Sequence, residues 1–135
     1  MDYKDILKSI VAVGGSLVTH LLGGWSALVQ ILVTFVVIDY ITGVLAAAYR
    51  GKLDSNIGLK GIAKKVFIFV IVACGHLVDN AMGTQDIVRD AAIYFYMANE
   101  LLSILENAGE IGLPVPDILK KSIDTLKGKE KDTPG

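Results

Sequence analysis

Two ionisable residues of this chain lie inside long apolar runs. Asp39 is near the middle of the run from Trp25 to Tyr49, and Glu100 interrupts the run from Ile87 to Leu105. A single charged side chain costs roughly 3 kcal/mol at the centre of a membrane helix, so such residues usually face protein or water and have a function. The two acids therefore predict polar contacts between helices, or a path lined by water.

Small and polar residues accompany these acids at helical spacing. Gly43 and Ala47 follow Asp39 at intervals of four, and such a stripe of small residues allows a second helix to approach closely. Polar residues also share a face on each of the two later apolar segments, as i, i+3 and i, i+4 neighbours do. The candidates for helix contact or pore lining are Asp39, Thr42, Gly43, Ala47, His76, Asp79, Tyr96, Asn99, Glu100 and Ser103.

Other kinds of chemistry find little support in the sequence. Cys74, His76 and Asp79 lack a familiar metal-ligand spacing, and a lone His on an apolar helix is more often a hydrogen-bonded packing residue. The chain has no glycine-rich phosphate loop, nucleophile elbow or paired-acid pattern in a soluble context. We therefore expect no catalytic residues, no metal and no cofactor, and the protein is not predicted to be an enzyme.

Composition indicates a small integral membrane protein. The chain has 135 residues, of which 53% are hydrophobic and 20% charged. Its net charge of −1 argues against a nucleic-acid partner, because nucleic-acid binders carry a basic excess. The single cysteine excludes an intrachain disulfide.

The apolar segments predict an all-α, multi-pass membrane domain over residues 1–107. Three spans are expected at 26–49, 62–82 and 87–106, the last two with charges near or inside them. The segment 6–22 has one apolar stripe and one small or polar face, which suits either a fourth span or a helix lying in the membrane interface. Residues 108–135 are expected to form a short cytoplasmic amphipathic helix and a polar tail.

The segment 62–82 has a short uncharged centre. It spans the membrane only if Lys64 and Lys65 extend to one interface and Asp79 lies near the other.

A helix is also predicted near the end of the chain, after a cluster of Gly and Pro. It should either cap the protein or contact anionic lipid headgroups. Its apolar face consists of Ile118, Leu119, Ile123 and Leu126.

Loop charges predict the orientation of the chain in the membrane. The connection between the second and third segments is strongly basic, with Asp54 as its single acid, and basic loops stay in the cytoplasm. The following loop is acidic and should face outward, which leaves the C-terminus in the cytoplasm. The residues of this predicted cytoplasmic basic loop are Arg50, Lys52, Lys60, Lys64 and Lys65.

Several stretches together resemble the toxin-secretion and phage-lysis holin family. The similarity lies in the stretch from Asp39 to Ala47, in the basic stretch from Lys52 to Lys65, in Asn99 to Asn107, and in Gly112 to Pro116. The matching stretches reach from about Trp25 to Leu126. The combination is much more specific than any one of these motifs.

The resemblance implies a small phage or prophage holin in the bacterial inner membrane. Such a protein would assemble with copies of itself in the lipid bilayer and open lesions. The lesions would release an endolysin or a large toxin without needing direct contact with it. The residues alone also fit a small ion channel or transporter subunit. A third alternative is a non-conducting membrane scaffold that anchors a partner.

Overall fold

The computed structural model describes residues 2–127, and this part of the chain is entirely helical. The five helices are α1 (Tyr3–Leu21), α2 (Ala27–Tyr49), α3 (Ser55–Met82), α4 (Ile87–Ile111) and α5 (Asp117–Lys127). The all-α prediction is therefore confirmed for the described residues. The predicted polar tail, residues 128–135, lies outside them.

Helices α2 and α3 have the length and apolar composition of membrane spans. Helix α2 begins after Ser26, whose side chain accepts a hydrogen bond from the backbone N–H of Val29 at 3.3 Å. Helix α3 ends at Gly83, which adopts the left-handed conformation (φ +70°) that favours glycine. Two of the three predicted spans, 26–49 and 62–82, thus correspond to helices whose length and apolar composition suit a membrane crossing.

Helix α3 begins earlier than the sequence predicts, at Ser55 rather than at Ile62. The Asp54 carboxylate accepts a hydrogen bond from the backbone N–H of Asn56 at 2.8 Å and so caps the helix. The earlier start of α3 corrects the predicted basic loop at one residue, because Lys60 is helical. Lys64 and Lys65 are helical as well, in agreement with the predicted span 62–82.

Helix α4 is the centre of the bundle. It packs against α2, α3 and α5, whereas α2 and α3 contact each other only sparsely. Its last turn extends to Ile111, beyond the predicted end at residue 106. The apolar core lies between α2, α3 and α4 and includes the fully buried side chains of Val29, Leu32, Val72 and Ile93. Polar residues meet at both ends of this core.

Helix α1 contributes no buried residue to the fold. It is joined to α2 through Gly23 and Gly24, both with positive φ (+78° and +101°), which a glycine adopts without strain. Its apolar stripe, including Ile10 and Leu17, is exposed. The two roles considered for this segment, interfacial helix and fourth span, both stay predictions.

Helix α5 folds back along α4. Ile123 is buried against Ala98 and Leu102 of α4. Ile118 and Leu119, which the sequence places on the same apolar face, are exposed. The side chain of Leu126, the fourth residue predicted on that face, lies outside the described residues.

Candidate helix-contact site

Three helices meet at one partly buried lysine. Lys65 of α3 donates a hydrogen bond to Asp39 of α2 at 2.6 Å and another to Glu100 of α4 at 2.9 Å. The two carboxylate side chains are only 7% and 5% exposed, and the lysine side chain is 18% exposed. A lysine shielded to this extent is not extended to the membrane interface. The predicted extension of Lys65 is wrong, because its ammonium finds two carboxylates between the helices.

A second residue of α4 completes the environment of Asp39. The side-chain amide of Asn107 donates to the Asp39 carboxylate at 3.0 Å, to the Asp39 backbone carbonyl at 3.2 Å and to the Thr42 hydroxyl at 2.9 Å. Both carboxylate oxygens of Asp39 are thus paired, one with Lys65 and one with Asn107. We call Asp39, Thr42, Lys65, Glu100 and Asn107 the inner polar cluster.

The inner polar cluster joins α2 directly to α3, two helices that otherwise contact each other little. Asp39 lies ten residues before the end of α2 and Lys65 ten residues after the start of α3, which places both about 15 Å from that end of the bundle. Burying these charges singly is strongly unfavourable, whereas their mutual hydrogen bonds offset the loss of water. Because the contacts depend on all three helices, the cluster fixes their relative position.

A cavity of about 240 Å³ extends from the α2–α3 connection to the inner polar cluster. Gly43 and Ala47 line one wall, and a Cβ atom at Gly43 would lie 3.6 Å from the amide nitrogen of Asn107 on α4. Tyr40 closes the space towards α3. Its hydroxyl lies 3.3 Å from the position that a Cβ atom would take at Gly58. The polar side chains among the other lining residues are Lys52, Asp54, Lys65, Ser103 and Asn107.

A second polar cluster lies at the opposite end of α3. The carboxylate of Asp79 accepts hydrogen bonds from the backbone N–H groups of Val88 and Arg89, both at 2.9 Å, and from the Thr84 hydroxyl. Those N–H groups belong to the first turn of α4, where intrahelical acceptors are lacking. Asp79 therefore caps a neighbouring helix, a role that Asp86, the residue before α4, does not fill with its own side chain.

Arg89 connects this outer cluster to the end of α1. Its guanidinium is buried and donates to the backbone carbonyls of Leu22 and Gly23, both at 3.1 Å. It also contacts Asp90 at 2.9 Å, while His76 lies 3.2 Å from Asp86. The base of α1 is thereby fixed to α4, although the rest of α1 is exposed. We call Asp79, Thr84, Asp86, Arg89 and His76 the outer polar cluster.

The structure divides the sequence-predicted candidates between several places. Asp39, Thr42 and Glu100 belong to the inner cluster, with Gly43, Ala47 and Ser103 along the adjoining cavity. His76 and Asp79 belong to the outer cluster. Tyr96 packs against the apolar core, and Asn99 is half-buried outside both clusters.

The basic residues of the predicted loop also lie in different environments. Arg50 forms an ion pair with Glu110 at 3.2 Å, and Lys52 lines the cavity. Lys60 and Lys64 are exposed on α3.

Sequence reasoning missed the roles of Lys65, Arg89 and Asn107. One signal for Asn107 was available, because it follows Glu100 by seven residues and Ser103 by four, which places all three on one side of a helix. Arg89 follows an acidic turn and reads as a surface residue. Nothing in its neighbourhood indicates that it reaches the end of α1.

Apolar helices joined through ionic contacts, two of them long and apolar enough to cross a bilayer, are the features of a small helical membrane protein. The chain belongs to the bacteriophage holin family, whose model matches residues 16–128.

Relatives in several bacteria are similar along most of the chain. An uncharacterised protein of Halalkalibacterium halodurans is 48% identical over 94% of this chain and 98% of its own length. One of Listeria monocytogenes is 45% identical over 94% and 93%. An uncharacterised 14.9 kDa protein in the nagH 3′ region of Clostridium perfringens is 38% identical over 86% and 89%. No solved structure matches the chain.

Proposed function

We propose that this protein is a holin that assembles with copies of itself in the bacterial inner membrane and opens lesions. The lesions release an endolysin, or in related systems a large toxin, that does not need to bind the holin. The observation that carries the proposal is the family match over residues 16–128. The polar clusters supply a physical basis for the mechanism.

In the single chain, the ionisable groups that form the inner polar cluster point inward. Lys65 holds Asp39 and Glu100, while the exposed side of α2 at the same level carries Val37, Ile41 and other apolar residues. Such a protomer is compatible with lipid. If the helices separate during assembly, the same polar side chains become available to line water, because a hydrated charge no longer needs its buried partner.

We place three helices, α2, α3 and α4, across the membrane. Helix α4 carries more ionisable residues than a simple span, but Glu100 is paired with Lys65 and Arg89 is paired at the outer cluster. Pairing of this kind supports a membrane position for α4, because charged residues within spans usually face protein partners. The basic α2–α3 connection then faces the cytoplasm, as does the C-terminus.

Controlled expression in bacteria tests the function. The chain is produced together with a cytoplasmic endolysin that has no export signal, and culture turbidity and released cytoplasmic enzyme are recorded. We expect abrupt lysis after a delay when both proteins are present, and loss of viability without lysis when the endolysin is omitted. Continued growth with intact membrane potential, despite verified membrane insertion, contradicts the proposal and favours the scaffold alternative.

A selective ion channel is the second candidate, and the cavity favours it. The 240 Å³ space connects the α2–α3 connection to the inner cluster, as an ion entrance would. Purified protein in vesicles separates the two functions, because a lesion releases an enclosed folded enzyme and a selective channel retains it. Release of small ions with full retention of the enzyme assigns the channel function instead.

A further inference from the structure

Two exposed lysines on α3 have no partner among the residues that the structure describes. Lys60 and Lys64 lie one helical turn apart, and neither makes an ion pair with a carboxylate of residues 2–127. Two neighbouring basic residues are paired, Lys65 with two acids and Arg50 with Glu110, whereas Lys52 lines the cavity. The two ammonium groups, unpaired within residues 2–127, therefore need another source of negative charge or water.

Their depth along α3 places both lysines within reach of the lipid headgroups. The α2–α3 connection, Arg50–Asp54, is short, so α2 ends and α3 begins at the same level of the bundle. Lys60 and Lys64 lie five and nine residues after Ser55, which is about 8 and about 14 Å further along the helix axis. Helix α2 is apolar through its last turns to Tyr49. With α2 and α3 placed across the membrane, both lysines start below the level at which α2 meets the headgroups.

The surface around these lysines has a polar end and an apolar continuation. A shallow pocket of about 440 Å³ is lined by Asn56, Leu59, Lys60 and Ala63. Further along the same outward face of α3, Phe67 and Val70 are exposed at 64% and 44%. Side chains at these positions repeat every three or four residues and form one stripe. Its order, polar and then apolar, matches a phospholipid standing in the leaflet.

We propose that Lys60 and Lys64, with the amide of Asn56, bind the phosphate of an anionic phospholipid whose acyl chains lie along Ala63, Phe67 and Val70. Two ammonium groups favour a headgroup with net negative charge over a zwitterionic one, whose own ammonium group they repel. The site rests on the proposed membrane placement of α3, but not on lesion formation. It gives the protein a lipid preference before any assembly takes place.

Fluorescence quenching next to the site tests the proposal. The native tryptophan, Trp25, is near the other end of α2 and is replaced by Phe, and the reporter Phe67→Trp is introduced. The full chain is placed in vesicles whose phosphatidylglycerol or phosphatidylcholine carries brominated acyl chains. Phosphatidylglycerol should bind next to the reporter about tenfold more tightly than phosphatidylcholine.

Matched variants identify the residues responsible. Lys60→Gln with Lys64→Gln should abolish the preference, and Lys60→Arg with Lys64→Arg should retain it. Lys120→Gln with Lys121→Gln removes the same charge from α5 and should leave the preference unchanged. Equal quenching by the two lipids, or equal loss in the α5 control, overturns the proposal.

A competition measurement distinguishes binding of the lipid from binding of free phosphate. Inorganic phosphate added to the vesicles should not displace the brominated phosphatidylglycerol, because it lacks the acyl chains that occupy the apolar stripe. Displacement at matched ionic strength would instead assign the lysines to a soluble anion. Lysis assays of the same variants are read separately, so a failure of the holin proposal does not alter the lipid result.

Discussion

The ammonium of Lys65 lies 2.6 Å from a carboxylate oxygen of Asp39, a residue 26 positions earlier in the chain and on another helix. The same ammonium reaches Glu100, 35 positions later, at 2.9 Å. The ammonium of Lys65 thus pairs with two buried carboxylates, one on each of the two neighbouring helices. This arrangement links α3 to both α2 and α4 through a single side chain.

Replacing Lys65 with Met should destabilise the protein more than removing all three charges together. Lys65→Met leaves two buried carboxylates without their cation, and we expect a loss of about 3 kcal/mol in the free energy of unfolding. In the triple variant Asp39→Asn, Lys65→Met, Glu100→Gln no buried charge remains, and most of that loss should be recovered. Unfolding in detergent micelles measures both.

The neighbouring lysine provides the control for that comparison. Lys64 is exposed and has no ion-pair partner among residues 2–127, so Lys64→Met should change stability by about 0.5 kcal/mol or less. A triple variant as unstable as Lys65→Met would show that hydrogen bonding and shape at this site matter more than its charge.

Lysis timing should depend on the inner cluster and on the adjacent small residues. Asp39→Asn removes one ion pair of Lys65, and Gly43→Leu places a large side chain in the cavity and against Asn107, whose amide is 3.6 Å from the site of a new Cβ. Both weaken the contacts that hold the helices together, so we expect earlier lysis with normal membrane insertion. Turbidity traces and membrane fractionation provide the two readings.

An exposed position on the same helix controls for the effect of substitution itself. Leu45 is 55% exposed, and Leu45→Ile should leave the onset of lysis unchanged. Normal lysis timing in both Asp39→Asn and Gly43→Leu would show that the inner polar cluster plays no part in lesion opening.

The acids in the apolar runs and the helical class were predictable because each follows from local sequence. The partner of Asp39 was not. Lys65 stands at the edge of an apolar run beside Lys64, and a lysine there extends to the interface or turns inward with equal local justification. The choice depends on whether carboxylates from distant helices converge on it. Only the packing of α4 between α2 and α3 brings Glu100 and Asp39 together.

The same limit applies at the outer cluster. His76 and Asp79 stood out as polar residues on one face, but the sequence gives no indication that Asp79 accepts hydrogen bonds from the first turn of α4. Asp86 is the local candidate for that cap, since it directly precedes the helix. It adopts a left-handed backbone conformation (φ +65°) and makes no cap with its side chain, which leaves the N–H groups of Val88 and Arg89 for Asp79.

Asp79→Ala should therefore destabilise the α3–α4 turn although it lies on α3. The variant leaves the first-turn N–H groups of α4 and the Thr84 hydroxyl without their acceptor, and we expect a loss of about 2 kcal/mol. Hydrogen exchange at Val88 and Arg89 should accelerate more than exchange in α2. Asp79→Asn keeps one carbonyl oxygen as acceptor and should give an intermediate loss. Unchanged exchange at these two amides in Asp79→Ala would contradict the capping role.

The two glycines between α1 and α2 should differ in their tolerance of alanine. Both have positive φ, so each substitution strains the backbone by about 1 kcal/mol. At Gly23 a new Cβ would also lie 2.5 Å from Nδ1 of His76 and 2.9 Å from a guanidinium nitrogen of Arg89, whereas at Gly24 it would meet nothing within 4 Å. Because Arg89 is buried and bonded to the end of α1, it has little room to move. Gly23→Ala should therefore lower the free energy of unfolding by clearly more than Gly24→Ala does, and it should loosen α1, detected as faster proteolysis near Leu22. Equal effects of the two substitutions would mean that His76 and Arg89 shift easily, and that the base of α1 is not fixed by the outer polar cluster.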